Sequence, residues 1–501
     1  MLKYNSKQCI LHALKPYPTK RNHMPRRTKI LATVGPASSE KKQLSALMDA
    51  GVDLFRLNFS HGDHADKVGI IESIRTLSRE KKKAVAILGD LQGPKIRAGL
   101  MKNGGMELQA GTTVTITTRD LLGENNIIPT TYDNLPQDVE VGNRILLDDG
   151  LLELKVLGIK GVDISCKVIN GGLLKDRKGM NLPGVKVSAP SLTEKDMEDL
   201  NFCVEQELDY VALSFVREAT DMMVVKTILC GKKSHIKVIA KIEKPEAVDN
   251  FDQILDVSDA IMVARGDLGV EIHPEKVPLI QKRIIKKCND AGKPVITATQ
   301  MLESMVHNPT PTRAETSDVA NAILDGTDAV MLSAETAAGD YPIEAVTVMD
   351  RVAKDVEGDP LLGQKYNSLL KDLERGTEAT EAIGQGACRI AEVLGAQAIL
   401  AFTQTGNTAA LVSKHRPRQP IYAVTPSQSV RRHLALYSGV RSIRVDIQGT
   451  TEAQICSVEQ AVLDSGFLKK GDVVVITMGS PLSHTGTTNL LKIHRLGDGM
   501  E

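Results

Sequence analysis

The chain has 501 residues, of which 42% are apolar, and its 62 Lys and Arg balance 62 Asp and Glu. That balance leaves no global basic field to hold nucleic acid or an anionic membrane, and no apolar run approaches the ~18 residues of a membrane span. Seven scattered cysteines (Cys9, Cys166, Cys203, Cys230, Cys288, Cys388 and Cys456), with no CxxC pair, speak for buried thiols in a reducing compartment.

The first 39 residues carry eight Lys or Arg and no acid. A basic transit peptide is one reading. The blander one is a disordered or mis-started leader over residues 1–25, with Met24 as the start. No secretory core is present, so cytoplasm is the default location.

From Thr28 the chain alternates short apolar runs with amphipathic stretches. Eight runs read as strands: Lys29–Val34, Asp53–Phe59, Ala84–Gly89, Asp209–Phe215, Lys237–Ile242, Ala260–Ala264, Pro294–Ala298 and Asp328–Leu332. Most are continuously hydrophobic, as in parallel strands buried on both faces. Between them Glu40–Ala50, Ala65–Glu80, Thr193–Glu207 and Val277–Ala291 have helical periodicity. The fold class is α/β, a TIM (β/α)₈ barrel over residues 26–97 and 191–357.

One connection is abnormally long. Residues 98–190 are rich in Gly, Val, Ile and Thr, with period-2 segments at Thr113–Thr117, Ile145–Leu157 and Asp163–Val168. They predict a small inserted β-barrel at the third βα loop, where it can act as a lid. After a helix at Pro342–Val356 and a polar link, residues 358–501 form a Rossmann-like α/β domain. Its predicted elements are helix Glu381–Leu394, strand Ala398–Phe402, helix Thr408–His415, strand Ile421–Val424, helix Gln428–Tyr437 and strand Val473–Thr477.

Catalytic side chains of such a barrel come from the C-terminal ends of its strands. Here those ends are unusually polar: Arg56, Asn58 and Ser60 on the second, Asp90 to Arg97 on the third, and Lys241 and Glu243 on the fifth. The sixth ends Arg265-Gly266-Asp267, the seventh Thr299-Gln300 and the eighth Ser333-Ala334-Glu335. Glu243 and Asp267 are the hard carboxylates Mg²⁺ prefers, unless each simply pairs with a basic neighbour. Arg56 and Lys241 supply fixed positive charge for phosphate. Gly266 would admit close backbone approach, and Thr299 could hold a carboxylate or relay a proton, or be merely a β-former. No Walker loop and no protein-kinase HRD or DFG set is present. In the last domain Thr403-Gln404-Thr405-Gly406-Asn407-Thr408 opens a helix as a phosphate cradle or an ordinary cap, and Thr485 to Asn489 forms a similar loop.

The segments TKILATVGPAS, FRLNFSHG, GDLQGPKIR, GMNLPGVKVSAP, AKIEKPEAV, MVARGDLGVEI, ITATQMLESM and PTRAETSDVANAILDGTDAVMLSAET resemble those of the pyruvate kinase family, in order, from about Arg26 to the C-terminus. The resemblance implies transfer of a phosphoryl group from phosphoenolpyruvate to ADP, giving pyruvate and ATP in the last step of glycolysis. By similarity Arg56 contacts the phosphoryl group, Lys241 stabilises the transition state, and Glu243 and Asp267 bind Mg²⁺ or Mn²⁺. Gly266, Asp267 and Thr299 hold the substrate carboxylate. Asn58, Phe59, Ser60, His61, Arg97 and Lys178 border the nucleotide, while Asn58, Ser60, Asp90 and the Leu91 carbonyl mark a K⁺ position. The chain departs from the family's GPEIR pattern: Lys95 replaces the Glu. Its ammonium and a K⁺ would exclude each other, so activity without K⁺ is expected. The resemblance also implies a phosphorylated effector at Thr403–Thr408 and a homotetramer. A silent relative would have lost one of Arg56, Lys241, Glu243, Asp267 or Thr299, and all five are present.

Overall fold

A computed structural model describes residues 25–359, 378–445, 451–479 and 488–498. The leader and most of the polar link after Gly358 lie outside them. Eight parallel strands close into a barrel: Lys29–Val34, Leu54–Asn58, Ala86–Asp90, Tyr210–Leu213, Lys237–Ile242, Ala260–Ala264, Val295–Ala298 and Ala329–Leu332, the last pairing back onto the first. Alternation divides their side chains between two compartments. Leu31, Leu54, Leu88, Ile239, Met262 and Ile296 fill the interior. Ile30, Phe55, Ile87, Val238, Ile261 and Val295 pack outward with the helices. The helices start where short polar side chains can cap them. Asp63 accepts from the Asp66 amide at 3.0 Å, and Thr193 with Asp196 and Thr312 with Glu315 make reciprocal capping boxes.

The floor of the barrel carries a repeated device. An Asp precedes every even-numbered strand and accepts a backbone N–H from the odd-numbered strand before it. Asp53 takes Ile30 (3.0 Å), Asp209 takes Ile87 (2.8 Å), Asp259 takes Val238 (2.8 Å) and Asp328 takes Val295 (3.0 Å). Three of the four also meet an arginine: Asp53 meets Arg26 (2.9 Å), Asp209 meets Arg75 and Arg432, and Asp328 meets Arg416. Asp259 instead faces two lysines, Lys226 and Lys237, at 3.3 and 3.6 Å.

Between the third and fourth strands the chain builds a β unit with its own core, including Val114, Ile116, Ile145, Leu154 and Val168. It comprises a two-stranded sheet, Gly105–Leu108 with Gly172–Lys175. Beside it lies a six-stranded sheet in the order Met180–Asn181, Arg144–Leu147, Leu152–Lys160, Asp163–Asn170, Thr113–Thr117, Ile127–Pro129. The single segment expected at Ile145–Leu157 is two strands. Asp148, Asp149 and Gly150 all take positive φ (51°, 54° and 87°) and turn the chain back on itself.

The last unit is a five-stranded sheet ordered Val440–Arg444, Ile421–Thr425, Ala398–Phe402, Val473–Met478, Leu490–Arg495, with the final strand antiparallel. Val440–Arg444, Leu490–Arg495 and the helix Thr451–Asp464 are additional to the predicted elements. Polar and apolar residues mix without a clean period in both strands. The helix expected over Gln428–Tyr437 ends at His433 and tightens to a 3₁₀ turn at Leu434–Leu436. That turn plugs the barrel floor: Ala435 and Leu436 belong to the interior cluster. Around the plug, Arg416 grips Asp328 through two nitrogens at 2.8 Å each, and the Tyr210 hydroxyl donates to the His433 carbonyl at 2.5 Å. No described helix is long and apolar enough to cross a membrane.

Candidate active site at the mouth of the barrel

The strand ends at the opposite rim bring four charges into one chain of contacts. Asp90 is buried (1% exposed). One of its carboxylate oxygens accepts from Arg56 Nε at 2.6 Å, while the other lies 3.2 Å from Lys241 Nζ. Lys241 Nζ also reaches Glu243 Oε1 at 2.9 Å and donates to Ser214 Oγ at 2.7 Å. Arg56 Nη1 donates to Thr33 Oγ1 at 3.1 Å. Burial alone would push the Lys241 ammonium down, but Asp90 and Glu243 outweigh it and raise it above the ordinary lysine value. Burial likewise works against the Asp90 carboxylate, yet Lys241 and Arg56 hold it below the usual range. Both groups are therefore fixed in their charged forms.

Glu243 behaves differently. Burial raises its carboxyl, Lys241 pulls it down, and the negative charge of Asp267 pushes it up again, with a net upward shift. Glu243, buried at the end of the fifth strand, and Asp267, half-buried in the helix that follows the sixth, repel each other and are oxygen donors of the kind a hard cation takes. Among the described residues no group of three or more His, Cys, Asp or Glu converges. Two protein carboxylates with water and substrate oxygens are the coordination Mg²⁺ accepts, so the residues fit the ion.

Asp267 opens onto a cavity of about 1120 Å³ lined by Lys95, Gly266, Thr299, Gln300 and Ser333 among others. Thr299 and Gln300 both have positive φ, 69° and 52°, a costly pair of conformations for non-glycine residues that must be held in place. Arg265 does this, donating to the carbonyls of Ala298 (3.1 Å) and Thr299 (2.6 Å) while pairing with Asp318 at 2.7 Å. The Thr299 hydroxyl is already engaged, donating to the Ala298 carbonyl at 2.6 Å and accepting from the Gly266 N–H at 2.8 Å. A Cβ on Gly266 would meet nothing closer than 3.6 Å, so the packing of the chain itself does not require glycine there.

Other predicted residues fall less simply. Asn58 accepts the Ser60 amide at 3.0 Å, and the Leu91 carbonyl accepts from Ser214 at 2.6 Å. His61 is pressed down by burial and then by the charges of Arg97, Arg56, Lys95 and Lys67, so Lys95 is felt at this rim as well as in the cavity. Lys178 pairs with Asp148 of the β unit at 2.7 Å, and Arg97 Nη1 donates to the Arg177 carbonyl at 3.2 Å. Phe59, expected at the nucleotide border, is buried. Its ring is 1% exposed, packed edge-on against His64 and Phe202, because alternation turns it away from Asn58 and Ser60. Glu335 is likewise a wall residue, accepting the Leu302 and Ser333 amides at 3.0 and 2.6 Å.

Sequence reasoning missed Ser214, which bridges Lys241, Leu91 and Asp90 from the end of the fourth strand. It also missed a latch in which Asn181 of the β unit donates to Glu271 (2.8 Å), itself paired with Lys244 (2.5 Å). A Ser at a strand end was a readable signal; the latch was not. In the last unit, Thr403 Oγ1 accepts the Gly406 amide (2.8 Å) and Thr408 pairs with Thr488 (2.9 Å), while Gln404, Thr405 and Asn407 are exposed. Residues 485–487 lie outside the described part.

Residues 25–346 match the pyruvate kinase barrel domain and residues 381–494 the pyruvate kinase alpha/beta domain. The chain is 47% identical over 477 residues to pyruvate kinases of Staphylococcus aureus strains MRSA252 and USA300, covering 94% of this chain and 81% of each relative. A solved pyruvate kinase from Cryptosporidium parvum superposes with a TM-score of 0.89 at 41% identity, covering 94% of this chain and 96% of that one. With the charged rim in place and both domains matched in order, the chain belongs to the pyruvate kinase family, phosphotransferases that convert phosphoenolpyruvate and ADP to pyruvate and ATP.

Proposed function

We propose that the rim residues divide this reaction as follows, a reading carried by the Arg56–Asp90–Lys241–Glu243 chain beside Asp267. Arg56, oriented by Asp90 and Thr33, and Lys241, held protonated by Asp90 and Glu243, face the phosphoryl group and neutralise the charge that spreads over its oxygens. Glu243 and Asp267 would hold Mg²⁺ or Mn²⁺, which when bound supplies further neutralisation. As the phosphorus–enol oxygen bond breaks and a bond to a terminal oxygen of ADP forms, an enolate is left, and its methylene carbon takes a proton. The Gly266 amide and Thr299 hold the carboxylate. Thr299 with a water relays the proton, for which its hydroxyl must release the Ala298 carbonyl. Asn58, Ser60, His61, Arg97 and Lys178 border the nucleotide, Lys178 by exchanging Asp148 for phosphate as the β unit over residues 98–190 closes.

Members of the family generally use K⁺ as well as Mg²⁺. In this chain the Lys95 ammonium supplies the positive charge near Asn58, Ser60, Asp90 and the Leu91 carbonyl, supported by its influence on His61. Turnover with phosphoenolpyruvate, ADP and Mg²⁺ in buffer holding only an organic cation should stay within about twofold of the rate with K⁺, and Lys95→Glu should restore a K⁺ requirement. A wild-type rate at background without K⁺ overturns the assignment. We further propose a cytoplasmic homotetramer regulated by a phosphorylated effector at Thr403–Thr408. Unchanged phosphoenolpyruvate KM across a panel of sugar and nucleoside phosphates removes the effector.

A further inference from the structure

One buried carboxylate joins the β unit to both elements that carry the metal ligands. Glu271 is the last residue of the helix Arg265–Glu271, and its side chain is 1% exposed. Its Oε1 accepts from Asn181 Nδ2 at 2.8 Å and from Lys244 Nζ at 2.5 Å. Its Oε2 is buried with no hydrogen-bond partner among the described residues. A buried acceptor left empty costs stability, so stability alone does not account for this contact.

Each partner leads to the rim. Asp267 and Glu271 stand four residues apart on one helix and share its face. Holding Glu271 therefore fixes how the helix is turned about its axis, and with it where Asp267 points. Lys244 directly follows Glu243, and its ammonium lies 5.9 Å from the centre of the Phe215 ring. The Phe215 backbone N–H in turn donates to Glu243 Oε2 at 2.7 Å. Asn181 belongs to the strand Met180–Asn181, which pairs with Leu146 and Leu147 inside the β unit and begins two residues after Lys178. Beside this point a groove of about 580 Å³ opens between Leu146, Gly150 and Pro183 of the β unit and Val248, Val270 and Glu271 of the barrel. The contact is a polar pin with space next to it, about which the β unit can turn without parting a packed surface there.

We propose that Glu271 is a positioning residue that aligns Glu243 with Asp267 and makes that alignment depend on where the β unit stands. The proposal rests on the reading of Glu243 and Asp267 as metal ligands, and adds a group that touches neither ion nor substrate. Asn181 and Lys244 converge on one oxygen, so a turn of the β unit that shifts Asn181 also shifts the carboxylate shared by Lys244 and the helix. Mg²⁺ demands near-ideal geometry of its donors, and groups behind the donors set that geometry. By linkage, an ion bound at the pair must bias the β unit by the same factor.

The test is Mn²⁺ binding to the substrate-free full chain, followed by water-proton relaxation, with hydrogen exchange over residues 98–190 as a second readout. Glu271→Gln keeps the shape of the side chain and removes its charge; it should weaken Mn²⁺ binding about tenfold. Asn181→Ala, one contact further from the ion, should weaken it about threefold. Mn²⁺ should slow exchange in the β unit of the wild type and leave it unchanged in Asn181→Ala. Should Glu271→Gln not fold, Asn181→Ala decides. Wild-type Mn²⁺ affinity in either folded variant, or exchange that Mn²⁺ slows equally in wild type and Asn181→Ala, overturns the proposal. Glu243→Gln separates its failure from that of the metal assignment. Weakened binding there alone removes the role of Glu271 and keeps the ligands, whereas unchanged binding in Glu243→Gln removes both.

Discussion

The two ends of the barrel both bury charge, but they use it in opposite ways. At the floor each aspartate accepts a neighbouring strand's N–H, and three of the four also pair with arginine. At the mouth Arg56, Asp90, Lys241 and Glu243 form a chain that ends beside Asp267, with two carboxylates still in mutual repulsion. Charge that is completed by the protein holds the fold together. Charge left incomplete, at the mouth, is where we propose that substrate and metal bind. Burial alone does not separate the two; the inventory of partners does.

The sharpest way to break this comparison is to damage each end in turn. Asp328→Ala strands Arg416 at the floor and removes the Val295 bond, and should cost about 3–5 kcal/mol in urea unfolding while the folded fraction keeps its kcat. A comparable loss of kcat with unchanged stability would reverse the assignment of roles. Lys241→Ala at the mouth should lower kcat by about 10²–10³, roughly 2.7–4 kcal/mol of transition-state stabilisation. Near-normal kcat would remove Lys241 from the chemistry.

A smaller effect separates the ends by pH. Burial works against the Asp53 carboxylate, but Arg26 and Lys29 outweigh it and bring it down to about 2. A carboxyl depressed in the folded state contributes stability that is whole above the unfolded value near 4 and is lost as pH falls toward 2. Its contribution is about 2 kcal/mol. Asp53→Asn should therefore flatten the acid limb of the stability curve below about pH 4 relative to wild type, measured by urea midpoints, without moving the pH dependence of kcat. An unchanged acid limb would show that Asp53 is not a floor charge of this kind.

Much of this was legible before any coordinates. The runs Lys29–Val34, Lys237–Ile242 and Ala260–Ala264 are strands with those limits, because continuous apolar sequence between helical stretches admits little else. Polar residues at strand ends identified Arg56, Asp90, Lys241 and Glu243. What stayed hidden depended on partners distant in sequence. Ser214 looks like an ordinary strand-end residue until Lys241 is beside it, and Phe59 looks like part of a polar motif until its ring is seen against His64 and Phe202. Glu335 shares the spacing of a rim carboxylate but is consumed by two backbone amides. Val440–Arg444 and Leu490–Arg495 lacked a period because they edge the sheet, with one side open to solvent or other contacts.

The floor aspartates have a consequence at the far rim. Closing a barrel demands a fixed stagger between neighbouring strands, and a slip of one residue exchanges inside for outside along the whole strand. Each Asp-to-amide bond pins one even strand to the odd strand before it, four times around the circle. Lys241 and Glu243 ride on a strand indexed by Asp259 through Val238, and Asp90 on one indexed by Asp209 through Ile87. The alignment of acid and base at the top is thus gauged from the bottom, and an aspartate at the foot of the neighbouring strand helps determine which way Lys241 points.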